Sequence, residues 1–228
     1  MGTQPVRSSR IVADDAAGRI EAIGVLEGGG IVGLPTDTVY GIAVSLATPG
    51  GIERLFAAKG RPPDRAIALL LADAAQAAEI GIMNPMATAL ANALWPGGLT
   101  LVVPRREGVG LPEVLTGGAP TIGLRVPAHA APRALAAAVG PLPTTSANRS
   151  GEPEARTAAE IERPLGAAVD LIVDGGPSNG GPASTVVDVT GPRPRVLRAG
   201  AIAIEEVRRV LAQAGAPDLD DTAQETGR

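Results

Sequence analysis

The chain has 228 residues, no cysteine, one histidine and a formal net charge of −4. Without cysteine, disulfides, thiolate nucleophiles and cysteine-bound metal centres are excluded, and one histidine cannot form a histidine metal cluster. Any metal is expected to be a hard cation such as Mg²⁺, carried on phosphate oxygens. The acidic balance argues against broad, non-specific binding of nucleic acid, although it leaves room for a local basic pocket.

The same composition bears on location and size. No apolar run approaches membrane-spanning length and the N-terminus has no apolar signal segment, so we expect a cytoplasmic protein with no membrane contact. A chain of this length suits one α/β domain with a substantial core.

Apolar residues at helical spacing predict a helix over Asp14–Glu27, which Gly28–Gly30 end. Thr157 and Glu160 form a capping box that opens a later helix. The other predicted helices, in chain order, are 52–59, 74–80, 85–94, 132–139 and 204–214.

Short apolar, β-branched runs lie between these helices, at 31–35, 38–44, 66–72, 99–104, 121–127, 170–176, 184–190 and 195–200. The run "PLPTTSAN" (141–148) is left without an assignment. Strands and helices alternate early, whereas strands follow one another closely late in the chain. This mixture predicts a single α/β domain over 1–215, with a twisted mixed (parallel and antiparallel) sheet and surrounding helices. The acidic segment 216–228 is expected to be a disordered tail.

Several familiar motifs are rejected. "GGGIVG" (28–33) has the spacing of a dinucleotide loop, but it lies before a strand rather than between a strand and a helix, so it is interpreted as a helix stop. No P-loop is present. The glycosylation pattern at 148–150 lacks a signal peptide. His129 and Ser146 could form a hydrolase pair, but no nucleophile-elbow motif supports it, and a lone histidine in a turn is more often structural.

Four of the residue types that occur once each lie in distinctive stretches: Tyr40 in "PTDTVYG", Lys59 in "AAKGRP", Trp95 in "LWPGGLTLV" and His129 in "LRVPAH". In a chain rich in Ala, Gly, Pro and Arg, such isolated residues suggest positions that do not tolerate substitution. Chance placement is the alternative.

Cations and hydroxyls together indicate the chemistry. Lys59 and Arg61 follow a short helix, where a compact ammonium and a planar guanidinium could converge on an anion. Arg125 and Arg198 end strands, next to loops that could line a pocket. Neutral donors accompany these cations at Thr36, Thr38, Thr145, Ser146, Asn148, Ser184 and Thr185. This set fits phosphoryl or nucleotidyl transfer, in which the protein positions groups and neutralises charge.

Each feature also has a structural explanation. Lys59 and Gly60 could be the last cation and the stop of a helix, and alone that explanation is preferred. Ser146 and Asn148 could cap a loop, and "STVVD" could be only a strand. Taken together, these explanations require four unrelated coincidences.

Six stretches occur in the order found in one family: "LPTDTVYGIA", "FAAKGRP", "LWPGGLTLVV", "TIGLRVP", "TTSANRSG" and "STVVDV…VLRAG". From about residue 11 to residue 200, the chain resembles the YrdC-like family, the threonylcarbamoyl-AMP synthases, in its short, single-domain form. The resemblance implies one α/β domain with a basic concave cavity. It also implies formation of threonylcarbamoyl-AMP and pyrophosphate from L-threonine, bicarbonate (or CO₂) and ATP, with Mg²⁺ bridging the phosphates. The implied partner is a separate transferase that passes the threonylcarbamoyl group to adenosine in certain tRNAs.

The resemblance also assigns site residues. It implies catalytic roles for Lys59 and Arg61, and no protein metal ligand. L-Threonine would contact Thr38, Arg125, Ser146 and Ser184, with Arg125 pairing with the carboxylate. ATP would contact Lys59, Arg61, Arg65, Thr121, Asn148 and Arg198. The chain departs from the common family pattern at Asp64–Ile67, at Leu70 and at Glu152–Arg156.

Two other functions are weighed. A related protein without synthase activity could bind RNA on the same surface, and a weak RNA contact is compatible with the main interpretation. Residues 218–228 hold four acidic side chains and Arg228, a charge of −3, so the rest of the chain has a net charge near −1. This weak charge and the three aromatic residues in the chain argue against RNA binding, since phosphates meet little positive charge and bases have little to stack on. A carbamoyl-transfer domain of hydrogenase maturation proteins is a third candidate, but the cysteine zinc motifs of those proteins are missing.

Overall fold

The computed structural model describes residues 8–60, 66–178 and 181–220, and within these ranges eight helices surround one ten-stranded sheet. The strands are β1 (Arg10–Ala13), β2 (Val32–Leu34), β3 (Gly41–Ala43), β4 (Ala68–Leu70), β5 (Leu99–Pro104), β6 (Thr121–Arg125), β7 (Leu142–Ser146), β8 (Leu171–Asp174), β9 (Thr185–Asp188) and β10 (Arg195–Arg198). The helices are α1 (Ala16–Glu27), α2 (Gly51–Lys59), α3 (Ala74–Ile80), α4 (Pro85–Leu94), α5 (Glu113–Thr116), α6 (Ala130–Val139), α7 (Ala158–Leu165) and α8 (Ile204–Gln213).

The order across the sheet is β1-β8-β2-β3-β7-β4-β6-β5-β9-β10. Four neighbouring pairs are parallel, namely β1/β8, β2/β8, β4/β6 and β5/β9. The other five pairs are antiparallel. The predicted single α/β domain with a mixed sheet is confirmed.

The two faces of the sheet bury different sets of side chains, because successive residues of a strand point to opposite sides. One face contributes Leu69, Leu101, Leu124 and Ile172 to the larger core, which most helices cover. The opposite face forms a smaller core under α1 and α6, with Leu70 and others. Beyond that smaller core, this second face is lined by small and polar residues and opens into a cavity.

Helix starts follow the rules of capping. Asp15, Asp73, Asn84 and Thr157 each accept a backbone N–H bond at the start of a helix, as short polar side chains do at this position. His129 does the same through Nδ1, 3.2 Å from the nitrogen of Ala131. Because of this cap, α6 begins at residue 130 rather than at the predicted 132. The structural interpretation of His129 is confirmed.

Three elements were absent from the sequence prediction. β1 (RIVA) is a four-residue edge strand whose residues are mostly exposed, and its apolar run has only three residues. α5 is a single turn after Pro112 in a segment rich in Gly and Pro. The unassigned run at 141–148 contains β7, whose alternate residues Thr144 and Ser146 face the cavity.

The packed chain extends beyond the predicted boundary at residue 215. Leu219 is 2% exposed and belongs to the larger core, and the backbone nitrogen of Asp220 donates to the carbonyl of Pro194. The prediction that the segment from 216 is disordered is therefore wrong for 216–220, and residues 221–228 lie outside the described part of the chain.

Candidate functional site

A cavity of about 410 Å³ opens on the face of the sheet that carries the smaller core. Its floor is made of Gly41, Ala68 and Gly123, three small residues on β3, β4 and β6. Because these side chains are short, a ligand could approach the backbone of the sheet closely. The polar and charged lining residues are Thr36, Thr38, Tyr40, Thr100, Thr121, Arg125, Thr144, Thr145, Ser146, Glu154, Ser184 and Arg198.

Arg125 lies at the end of β6 and is held by three acceptors. Its Nη2 donates to Oδ1 of Asp37 at 2.8 Å, Nη1 to Oγ1 of Thr38 at 3.0 Å, and Nε to the carbonyl of Gly97 at 3.0 Å. Asp37 also accepts from the backbone nitrogen of Ala128. A guanidinium has five N–H donors, so two of them have no partner among the described residues.

The carboxylate of Asp37 nearly balances the positive charge of Arg125. Burial lowers the pKa of Arg125, the carboxylate of Asp37 opposes that effect, and the positive charge of Arg198 adds to it. Arg125 is 6% exposed, and its ion pair with Asp37 has little contact with water. The pair therefore contributes less positive potential to the cavity than an isolated arginine would.

Ser184, Thr100 and Arg198 form a second polar group. The Oγ atoms of Ser184 and Thr100 are 2.7 Å apart, and both residues are 5% exposed. Arg198 donates from Nε and Nη2 to the carbonyl of Ser184, and from Nη2 to its Oγ at 3.0 Å. Nη1 of Arg198 has no partner in the described part of the chain, so its two N–H groups are available to a ligand.

The electrostatics of Arg198 differ from those of Arg125. As a whole residue Arg198 is exposed, but its guanidinium packs on Ser184, and this burial lowers its pKa while Glu154 opposes the shift. The two atoms that accept hydrogen bonds from Arg198 are neutral oxygens of Ser184. Among the described residues, no direct ion pair therefore cancels the positive charge of Arg198.

Because Gly200 has no side chain, the segment after β10 can lie against the backbone of Ala183 and Ser184, just before β9. A Cβ atom on Gly200 would lie 2.2 Å from the carbonyl oxygen of Ala183 and 2.5 Å from the carbonyl carbon of Ser184. A side chain there would force these backbone segments apart, so glycine is required for the placement of Ser184.

Lys59 is the last residue of α2, and Gly60 follows in the left-handed conformation with φ 62°, as helix ends favour. The side chain of Lys59 is 5% exposed. Its Nζ donates to the carbonyl of Ser146 at 2.7 Å, to Oγ of Ser146 at 3.1 Å and to Oδ1 of Asn148 at 2.9 Å. Lys59 is therefore more than a helix-terminal cation, because it fixes the "TTSAN" segment.

The hydroxyl of Ser146 is oriented by the same contacts. It donates to Oδ1 of Asn148 at 2.7 Å, while Nδ2 of Asn148 donates to the carbonyl of Glu152 at 2.6 Å. Since its single proton is used by Asn148, Ser146 can present only a lone pair to the cavity.

Tyr40 ties three wall segments together. Its backbone nitrogen donates to the carbonyl of Ala155, and its carbonyl accepts from Ala147. The hydroxyl donates to the carbonyl of Gly176 at 2.7 Å and accepts from the nitrogen of Gly175 at 3.1 Å. Burial raises the pKa of Tyr40 to about 12, and the charge of Asp174 adds to the increase. The hydroxyl thus stays protonated and fixes the turn after β8.

The structure brings most of the predicted site residues to this one cavity. Thr38, Arg125, Ser146, Ser184, Thr121 and Arg198 all line it. Lys59 and Asn148 lie behind its wall and contact Ser146. Arg61 and Arg65 lie outside the described residues, so their predicted roles stay predictions, as do the ligand assignments of the others.

Sequence reasoning missed Thr100, Thr144 and Glu154, which also line the cavity. Thr100 carries a usable signal, because it is the one polar residue in the strand "LTLVV" and the period of two places it opposite Leu99 and Leu101. Glu154 carries none, since it lies in an irregular segment.

Two searches of the described residues concern other kinds of site. No group of three or more His, Cys, Asp or Glu side chains there could hold a metal ion. In the same residues, no helix is both long and apolar enough to cross a membrane.

Comparison with known proteins places this cavity in context. The model of the Sua5/YciO/YrdC family, described as telomere recombination, matches residues 24–200. A threonylcarbamoyl-AMP synthase of Pyrococcus abyssi is 36% identical over 194 residues, covering 84% of this chain and 56% of that protein. A putative threonylcarbamoyl-AMP synthase of Mycobacterium tuberculosis is 36% identical over 195 residues, covering 85% of this chain and 89% of that protein.

A solved structure agrees with these matches. The crystal structure of P. abyssi Sua5 complexed with L-threonine superposes with a TM-score of 0.83 at 32% identity. The superposition covers 93% of this chain and 62% of that one. This chain therefore spans less than two thirds of the archaeal protein.

Proposed function

Because the chain belongs to the Sua5/YciO/YrdC family, we propose that it makes threonylcarbamoyl-AMP and pyrophosphate from L-threonine, bicarbonate (or CO₂) and ATP. The observation that supports this most is the convergence of Thr38, Arg125, Ser146, Ser184 and Arg198 on one cavity. These residues come from five separate stretches of the sequence. Their meeting at one void is what a site for a small polar ligand requires.

L-Threonine occupies the side of the cavity between Arg125 and the two serines. Its carboxylate contacts the two N–H groups of Arg125 that have no partner among the described residues, and Asp37 holds the guanidinium in place. The hydroxyls of Thr38, Ser146 and Ser184 bind the remaining polar groups. Such neutral donors and acceptors orient a ligand without adding charge.

ATP occupies the side of Arg198 and Thr121, with Arg61 and Arg65 as further contacts, while Asn148 acts from behind the wall through its bond to Ser146. The two N–H groups on Nη1 of Arg198 suit phosphate oxygens, because hydrogen bonds from a charged donor to phosphate are short and strong. Mg²⁺ enters with ATP, bound to phosphate oxygens, which are the ligands that it prefers.

The reaction needs no protein nucleophile. The neutral amine of threonine attacks CO₂, a proton leaves, and a carbamate forms. A carbamate oxygen then attacks the α-phosphorus of ATP, the bond to the β-phosphate oxygen breaks, and pyrophosphate leaves. Lys59 and Arg61 neutralise the negative charge that builds on the phosphates, which is the main contribution expected from a protein in such a transfer. A transferase then passes the group to tRNA.

Pyrophosphate release from ATP tests this proposal. Release should require both L-threonine and bicarbonate, and other amino acids should not replace threonine. Lys59→Ala and Arg61→Ala should abolish turnover while circular dichroism shows a folded protein. Arg209→Ala, which removes an exposed cation bonded to Glu206 on α8, is the control and should retain full activity.

Three results would contradict the proposal. Pyrophosphate release that is equal with and without threonine would exclude the reaction. Substantial activity in Lys59→Ala would exclude the role given to that ammonium. A salt-sensitive affinity for RNA without ATP turnover would favour the RNA-binding alternative.

A further inference from the structure

Thr100, the second residue of β5, is a buried polar residue that none of the proposed contacts uses. Its neighbours Leu99 and Leu101 are fully buried in the larger core, whereas Thr100 and Val102 face the cavity. Strand pairing alone would accept valine at this position, because the two side chains have nearly the same shape. The hydroxyl of Thr100 therefore needs its own explanation.

That hydroxyl has one described partner, Oγ of Ser184, at 2.7 Å. Ser184 also accepts from Nη2 of Arg198 at 3.0 Å, and a guanidinium can only donate. The hydroxyl groups of Thr100 and Ser184 have two protons in total, and one of these forms the hydrogen bond between them. When Thr100 donates to Ser184, both lone pairs of Ser184 are used, by Thr100 and Arg198, and the one remaining proton of the pair is on Ser184, available to the cavity.

The positive charge of Arg198 next to this pair favours a ligand atom that accepts a hydrogen bond. The opposite wall favours a ligand atom that donates a hydrogen bond. There the proton of Ser146 is already donated to Asn148, so Ser146 presents a lone pair. A ligand with a donor at one end and an acceptor at the other, such as an amino acid, would be bound in one direction only.

We propose that Thr100 is a positioning residue that holds the hydroxyl of Ser184 in the direction that makes it a donor to L-threonine. The inference rests on the proposed function, since it takes L-threonine as the ligand. Thr100 acts through Ser184, and its own contribution is the Oγ–Oγ bond.

A pair of substitutions isolates this bond. Thr100→Val keeps the shape and removes the hydroxyl, whereas Thr100→Ser keeps the hydroxyl. We expect Thr100→Val to raise the KM for L-threonine and the Kd measured by calorimetry about fivefold to tenfold, the effect of one buried hydrogen bond. The KM for ATP should stay unchanged, and Thr100→Ser should restore most of the affinity.

Thr116→Val controls for the loss of a buried hydroxyl in general. Thr116 is 2% exposed, bonds to the carbonyl of Glu113 and lies in α5, away from the cavity. This variant should lose thermal stability with no change in either KM.

The outcomes separate the two proposals. An unchanged affinity for threonine in Thr100→Val, or a weakening confined to ATP, would overturn the role of Thr100. A crystal structure of Thr100→Val gives a readout independent of activity, since Ser184 should leave Nη2 of Arg198. An unmoved Ser184 would also overturn the role. A wild-type protein that neither binds nor uses threonine would refute the proposed function instead.

Discussion

The two ends of the cavity use the same kind of side chain in different surroundings. At one end, which contains the connection between β2 and β3 and is called the β2–β3 end, Arg125 is buried and paired with Asp37. There the hydroxyl of Tyr40 also fixes the turn after β8. At the β9–β10 end, Arg198 is exposed and bonded only to neutral oxygens of Ser184. The first end is rigid and almost neutral, while the second keeps its positive charge accessible. An arginine in a sequence motif thus predicts a location, whereas its partners decide whether it supports the fold or attracts an anion.

Breaking the ion pair at the β2–β3 end should have the largest effect on stability. Arg125→Gln leaves the carboxylate of Asp37 with little water and no opposite charge, which costs about 3 kcal/mol or more in free energy of unfolding. Urea denaturation would measure this. The double variant Arg125→Gln/Asp37→Asn should recover at least about 1 kcal/mol of the summed loss. Strict additivity would show that the two groups are not coupled.

Tyr40 should make stability depend on pH in the alkaline range. Its pKa is raised to about 12 in the folded chain, against about 10 when exposed, so the folded state holds the proton more tightly. The stabilisation is complete below pH 10 and is lost as pH rises toward 12, by up to about 3 kcal/mol.

The chain contains one tyrosine, so tyrosinate absorbance follows this group directly. The folded protein should titrate about two pH units above the protein in denaturant, as the raised pKa requires. Tyr40→Phe should remove the absorbance change and flatten the stability profile between pH 10 and 12. A titration midpoint near 10 in the folded protein would disprove the burial of the hydroxyl.

The β9–β10 end should show the smallest effect on stability. Arg198→Gln removes bonds to neutral acceptors at an exposed position, so the free energy of unfolding should fall by about 1 kcal/mol or less. The KM for ATP should nevertheless rise about tenfold, because a charged contact to phosphate is lost.

Arg195→Gln is the matched control for Arg198. It lies on the same strand, but it pairs with Asp188 and does not line the cavity. We expect its KM for ATP to equal that of the wild type. An equal increase in both variants would mean that only the general charge of the strand matters.

Much of this arrangement was predictable from the sequence, and the limits have physical causes. Thr38, Ser146 and Ser184 were assigned from short motifs shared with the resembled family. The period of two would not have selected them, since Thr38 lies outside the strands and Ser146 lies in a run left without an assignment. Partners distant in the chain were not predictable: nothing near Lys59 indicates that its ammonium contacts Asn148, 89 residues away. Glu154 was missed because it lies in an irregular segment, and the edge strand β1 because its apolar run has only three residues.

The order of strands also affects how this protein is made. β1 and β2 both lie against β8, so β1 lacks its described neighbour until residues 171–174 have been synthesised. At about 5–20 residues per second, that interval is roughly ten to thirty seconds. During it, unpaired strand edges are open to wrong pairing with other chains. Efficient production in a cell would therefore depend on rapid translation or on a chaperone that shields the N-terminal strands.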